Sequence, residues 1–207
     1  IAGATGSHII LDGSGNAFAA AVTMQAGNGS NAAFGNITFV DSGAVDFVSS
    51  ASTDDGDLYI KSSGAVGGDL SITATTGNIT QGVAVAVTGT TTLKATTSND
   101  ITLDNTSNNF QGAVKITSGN DVTLVDAGDI DLGVSAVSGI YAVTAISGDI
   151  SDSGNLAITG AATFITTAAG RDIILDTTTN VFTGAVTLNT TGSTGHAEVD
   201  GGTTILD

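Results

Sequence analysis

Residues 100–116 read DITLDNTSNNFQGAVKI, and the chain repeats them twice more: residues 8–24 read HIILDGSGNAFAAAVTM and residues 172–188 read DIILDTTTNVFTGAVTL. Seven of the seventeen positions agree in all three copies, an Ile, Leu and Asp followed by Asn, Phe, Ala and Val. Self-similarity at a long fixed spacing marks a repeat architecture, in which one supersecondary unit stacks on the next.

The intervals align as well. Residues 76–100 match residues 147–172 with one residue inserted, and ITFVDSGAVDF (37–47) matches VTLVDAGDIDL (122–132). The step from Asp100 to Asp172 sets a super-repeat of about 72 residues, and the step from His8 to Asp100 is longer by about 20 residues. The excess reads as one additional turn. We divide the chain into copies 8–99, 100–171 and a partial 172–207, all within one continuous segment, 1–207, of a longer array. Inside a period, strand-like runs begin at Ile101, Val122, Tyr141, Leu156 and Ile173. Those starts predict four coils of about 18–20 residues per period and about eleven coils in the chain.

Within each run the aliphatic residues alternate with Thr, Asp and Ser, as in Ile101/Leu103 and Val122/Leu124. A period of two means a strand with one buried face. Gly, Asn, Asp and Ser clusters between the runs supply turn chemistry. The predicted fold is therefore all-β: a parallel β-solenoid, read as a right-handed β-helix. A β-sandwich would also alternate, but it needs neither a regular coil nor a super-repeat. The Asn of each copy reads as a corner residue bonding its own turn, and the Phe two positions later as a large core filler.

Composition fits that reading. The 207 residues include 29 Gly, which the corners of the coils demand, and no Pro, which would delete a ladder donor at each coil. There is no Cys, so disulfides, thiolate-bound metals and thiol catalysis are excluded. Twenty acidic against four basic side chains give a net charge of −16. That balance argues against nucleic-acid binding and against docking on anionic lipid, and no apolar run approaches the ~20 residues of a membrane span.

The chemical candidates are sparse. Asp54, Asp55 and Asp57 form the densest acidic cluster and are the best candidates for a metal, with calcium the ion that such oxygens suit. The Asp-rich loop signatures of calcium sites are missing, and Asp12, Asp104 and Asp176 read as solvated turn residues. With one glutamate, Glu198, and scattered Lys61, Lys94, Lys115 and Arg171, no carboxylate pair or basic centre marks an enzyme. His8 stands where Asp100 and Asp172 stand in the other copies, and His196 lies in a polar stretch; both read as tolerated substitutions at non-equivalent positions. The triplets at Thr90, Thr91 and Thr92 and at Thr177, Thr178 and Thr179 raise an ice-binding reading, but they recur once per long period and not once per coil.

The ITLDNTSNNFQGAVKI segment, with GNITQ and TGTTTL, resembles the long repeats of filamentous-haemagglutinin-like exoproteins and other large bacterial surface adhesins. The segment N-x-F-x-G-A-V carries the likeness at residues 108–114 and 180–186, and Ala20 replaces its Gly in the first copy. The resemblance implies a secreted, cell-surface β-helical fibre; with no reactive centre in the sequence it reads as a non-catalytic stalk next to neighbouring repeats, with a self-polymerising filament protomer, identical copies placed end to end, as an alternative. It leaves open a solenoid that binds carbohydrate or calcium, most naturally through the irregular stretch 48–67.

Overall fold

The computed structural model describes residues 8–25, 35–49, 57–61, 65–201 and 205–206. They form an all-β solenoid whose strands pair in parallel. Two large sheets, of nine and ten strands, are completed by two sheets of three short strands. The predicted period of two holds: Leu70–Ala74 and Tyr141–Ala145 alternate between fully buried and half-buried residues along their length. A regular coil is a three-sided loop, as in Leu70–Ala74, Ile79–Gln81 and Ala86–Val87, before Thr91–Lys94 begins the next.

The super-repeat differs from the expected four coils. Ile101, Val122, Tyr141 and Ala162 stand in one column of the ten-stranded sheet, so three turns carry the chain from Ile101 to Ala162. Ile173, which opens the third copy, follows one side later in the nine-stranded sheet. Leu156–Ile158 and Ile173–Leu175, whose spacing suggested further members of the first column, belong to two other sheets. The first period is built in the same way. Ile9, Ile37, Leu70 and Thr91 form a column covering three turns, and Ile101 follows one side later in the other large sheet. Both periods are three turns plus one side.

Corners migrate to accommodate this step. In the strand Val114–Ser118, Val114 pairs with Leu132, while Gly119, just past its end, bridges Val137. From there Ser135–Val137, Leu156–Ile158 and Val181–Phe182 continue the first side. Ala127 N–H bonds Asn108 O and Gly133 N–H bonds Val114 O, so Ile130–Leu132 and its successors run on the third side, above the stretch between Asn108 and Val114. The ILD segments of the three copies consequently occupy three different sides of the rod.

The additional length of the first period adds no turn, which corrects its reading as an extra coil. Phe47 is the counterpart of Leu132 and Leu70 that of Tyr141, so the longer path from Phe47 to Leu70 holds most of the excess. That path carries the strand Asp57–Lys61, which is wedged between Val22–Gln25 and Val45–Phe47. In the second copy Val114 pairs directly with Leu132; in the first, their counterparts Val22 and Phe47 both pair with Leu58.

The core is a continuous axial column. Tyr141, Phe164 and Phe182 meet edge to face at 5.9 and 6.3 Å, and Phe18 stacks on Phe39 at 5.2 Å. Such pairs add about 0.5–1.5 kcal/mol beyond their area. Many coils are longer than the expected spacing, as from Thr91 to Val114 or Ile173 to Ala197, which is why nine strands stack along the first sheet and not eleven. Among the described residues positive φ occurs only at Gly170 and Gly192. Most corner glycines are required instead by close approach: a Cβ on Gly112 would lie 2.5 Å from the carbonyl oxygen of Gly89 in the coil beneath.

Candidate functional site

The polar chemistry of the chain is concentrated at the corners, where it joins one coil to the next. As the chain turns, a backbone N–H loses its ladder partner, and an Asp or Asn side chain of the preceding coil replaces it. Asp100 N–H donates to Asn78 Oδ1 at 2.9 Å, Asp121 N–H to Asp100 Oδ1 at 3.1 Å, and Ile140 N–H to Asp121 Oδ1 at 2.8 Å. A second series runs from Asp129 through Asp149 and Asp172 to the His196 N–H, at 2.8, 2.9 and 2.7 Å. A third joins Asn36, Asp69 and the Thr90 N–H at 3.0 and 2.8 Å. Each rung contributes about 1 kcal/mol net, and less where water competes.

The two histidines are exposed and stand at these same corners, His8 through its ring and His196 through its backbone N–H. Each immediately precedes a strand of the nine-stranded sheet, Ile9–Leu11 or Ala197–Val199. Asn36 N–H donates to His8 Nδ1 at 2.9 Å, so the imidazole does the work of a corner carboxylate. The signal in the sequence was the alignment of His8 with Asp100 and Asp172; what the alignment lacked was the rung itself.

Inside the rod the recurrent Asn is a hub and not merely the cap of its own turn. Asn108 is fully buried. Its Nδ2 reaches Leu103 O in its own coil and Val125 O in the coil above, at 3.2 and 3.1 Å. Its Oδ1 accepts the Val85 N–H and Gln81 Nε2 from the coil beneath, both at 2.8 Å. Asn180 likewise accepts the Leu156 N–H at 2.8 Å and donates to Asp152 Oδ2 at 2.7 Å. Asp126 is buried beside the Asn108 hub, and burial raises its carboxyl pKa; the N–H groups of Phe110 and Gly128 oppose the shift, and the Asp129 charge adds to it. Burial also pushes the Tyr141 hydroxyl upward, opposed by Ser135.

Of the metal candidates, Asp54 and Asp55 lie outside the described residues. Asp57 begins the wedged strand, is buried, and its backbone pairs with Asp46. Among the described residues no three His, Cys, Asp or Glu side chains converge to hold a metal ion. Arg171 lies 3.9 Å from Asp149, and His196 lies 3.4 Å from Glu198, all exposed. Thr91 is buried whereas Thr90 and Thr92 are half-exposed, so the triplet forms no flat array. A different threonine column was hidden by the unequal coil lengths: Thr80, Thr102, Thr123, Thr163 and Thr187 face outward in register, with Ala142 among them. A cavity of about 220 Å³ lies between the wedged strand and residues 83–86, and a smaller one of about 90 Å³ lies between residues 17–19 and 41–43.

A model of a repeat family matches the chain twice, over residues 34–117 and 119–189. The chain belongs to the family Repeats of unknown function (DUF5649). The two DUF5649 matches open just ahead of Ile37 and Val122, equivalent positions that lie in different large sheets, so the family unit carries the step from side to side. No curated protein and no solved structure matches. No helix among the described residues is long and apolar enough to cross a membrane.

Proposed function

We propose that this chain is a non-catalytic stalk segment of a bacterial surface fibre of the adhesin type, working outside the cell. The observation that supports it best is where the carboxylates and amides go. Asp69, Asp100, Asp121, Asp129, Asp149 and Asp172 each bond a backbone N–H of the next coil, and Asn108 joins three coils at once. Groups that could form a reactive centre are used along the axis, where they resist the separation of coils. The remaining acidic charge keeps neighbouring rods apart. Placement outside the cell follows from the resemblance of the repeats to those of exported adhesins.

The test is length. Covalent tandems of one, two and three chains, viewed by electron microscopy and small-angle scattering, are expected to lengthen in proportion to chain number at constant cross-section. Compact particles, with a radius growing only as a globule's does, would refute the stalk. Calorimetric titration with calcium and with a panel of surface glycans separates it from a binding module: a saturable response favours the module and silence favours the stalk.

A further inference from the structure

The cavity of about 220 Å³ at the wedge draws its walls from four segments far apart in the chain: residues 47–49, residues 58–60, Val66 and residues 83–86. Its lining carries no charged side chain, in a molecule with twenty acidic and four basic ones. The hydroxyls of the lining come from Ser49, which is exposed, and Tyr59, which is half-buried; every other lining side chain is aliphatic or aromatic.

The backbone beside this space is already engaged. Val48 N–H donates to Leu58 O at 3.2 Å, and Asn109 N–H to Val85 O at 3.0 Å. Val85 N–H donates to Asn108 Oδ1 at 2.8 Å, and Gln81 Nε2 holds Val83 O at 2.6 Å. Among the described residues, none of the buried side-chain oxygens that lack a partner lies in the lining. A buried water is held by about two to four polar partners, whereas an apolar cavity of about 150 Å³ already takes benzene. The wall at Val83–Val85 suits the second kind of guest.

The sequence does not close this space; it opens it further. In the match of residues 76–100 with residues 147–172, Val85 stands where Leu156 stands, Ala84 where Asn155 stands and Val83 where Gly154 stands. Asn108 Oδ1 takes the Val85 N–H as Asn180 Oδ1 takes that of Leu156, and Val66 pairs with Val87 as Val137 pairs with Ile158, so the positions are equivalent in space. Leu156 is fully buried. The first copy therefore faces the cavity with a side chain one methylene shorter, and its rim is apolar where the second copy has a glycine and an amide. An insertion that only had to be accommodated would draw larger side chains into the gap, because interiors are close-packed. Here the wall recedes and the rim loses polarity, the two changes that an apolar guest requires.

We propose that this cavity is a binding site for a small neutral apolar molecule of about single-ring size, an alkylbenzene in class, with its ring against Phe47, Leu58 and Val85. Carboxylate-bearing molecules are excluded, because the lining provides no cation and the acidic rod repels them. The site goes beyond the stalk reading and stands independently of it.

Toluene titrated into the full chain, with the protein observed by NMR, tests the site, and benzoate is the charged control. Saturable toluene binding is expected, with a dissociation constant of about 1 mM or tighter and ligand contacts to the Phe47 ring and to the Leu58 and Val85 methyls. Benzoate is expected to bind at least about tenfold more weakly. Val85→Leu restores the side chain of the second copy and is expected to weaken toluene about tenfold or more, with the β-rich circular dichroism unchanged. Ala84→Leu, at the half-buried rim, is the second variant should the first misfold. Absence of saturable toluene binding, as when the chain's own side chains fill the space, would overturn the proposal. So would benzoate that binds as tightly as toluene, ligand contacts at another part of the rod, or variants that bind toluene like the parent. The length of covalent tandems is indifferent to all of these outcomes, so the stalk reading stands or falls separately.

Discussion

The first and second copies solve the same junction differently. In the second, Val114 and Leu132 pair directly and both are fully buried. In the first, Leu58 is driven between their counterparts Val22 and Phe47, and a cavity of about 220 Å³ opens among Phe47, Leu58, Tyr59, Val66 and Val85. The ladder tolerates the extra strand because a parallel pairing asks only for another backbone at the right spacing. The core tolerates it less well, because interior side chains must remain in contact from coil to coil. A solenoid is thus permissive in its hydrogen bonds and demanding in its filling. An insertion enters through the backbone and leaves its trace in the packing.

The sharpest way to break this comparison is to remove the same side chain from both copies. Phe110→Ala should cost about 3–5 kcal/mol, because the ring is fully buried between coils. Phe18→Ala should cost about half as much, since Phe18 is only partly covered. Equal losses in denaturant midpoint would mean that the first copy packs as tightly as the second. Next in size are the amide hubs. Asn108→Ala leaves the Val85 N–H and two carbonyls without their partner and should cost about 3 kcal/mol, against about 1 kcal/mol for Asn16→Ala. Smaller again is the glycine contrast. Gly112→Ala must displace the Gly89 carbonyl and should cost about 1–3 kcal/mol, whereas Gly15→Ala meets nothing within 4 Å and should be close to neutral.

Much of the fold was legible in residues 100–116 because each clue there is local. The alternation of Ile101 and Leu103, the Asn and the Phe report their own burial whichever side of the rod they occupy. That indifference is also why the turn count was not legible. Leu156 and Ile173 carry the same alternation as Tyr141, so spacing alone could not tell a next strand in the same sheet from a next side. The corner rungs escaped for a related reason. Asp100 and Asp121 look like turn residues, and their acceptor role depends on an N–H one coil away whose register varies along the rod. The wedge at Asp57–Lys61 was visible as an irregular stretch, but its place between two strands that precede it in sequence is set by pairing and not by pattern.

Proton linkage at Asp126 gives the smallest effect. Asp126 accepts two N–H groups and still has its pKa raised by burial. In the native rod it therefore binds a proton at a pH where the unfolded chain has released it. Its contribution to stability is complete below the ordinary carboxyl value of 3.8 and is lost as pH rises through the higher native pKa, opposite in sign to that of a salt-bridged aspartate. Asp126→Asn removes the charge that burial penalises while keeping one acceptor. The difference in melting temperature between parent and variant should accordingly shift in the parent's favour as the solution is acidified from neutral pH toward that window. A parent that loses ground to Asp126→Asn on acidification would show that the two N–H donors outweigh desolvation, and that the Asp126 clasp holds its charge as an ordinary N–H-capped carboxylate does.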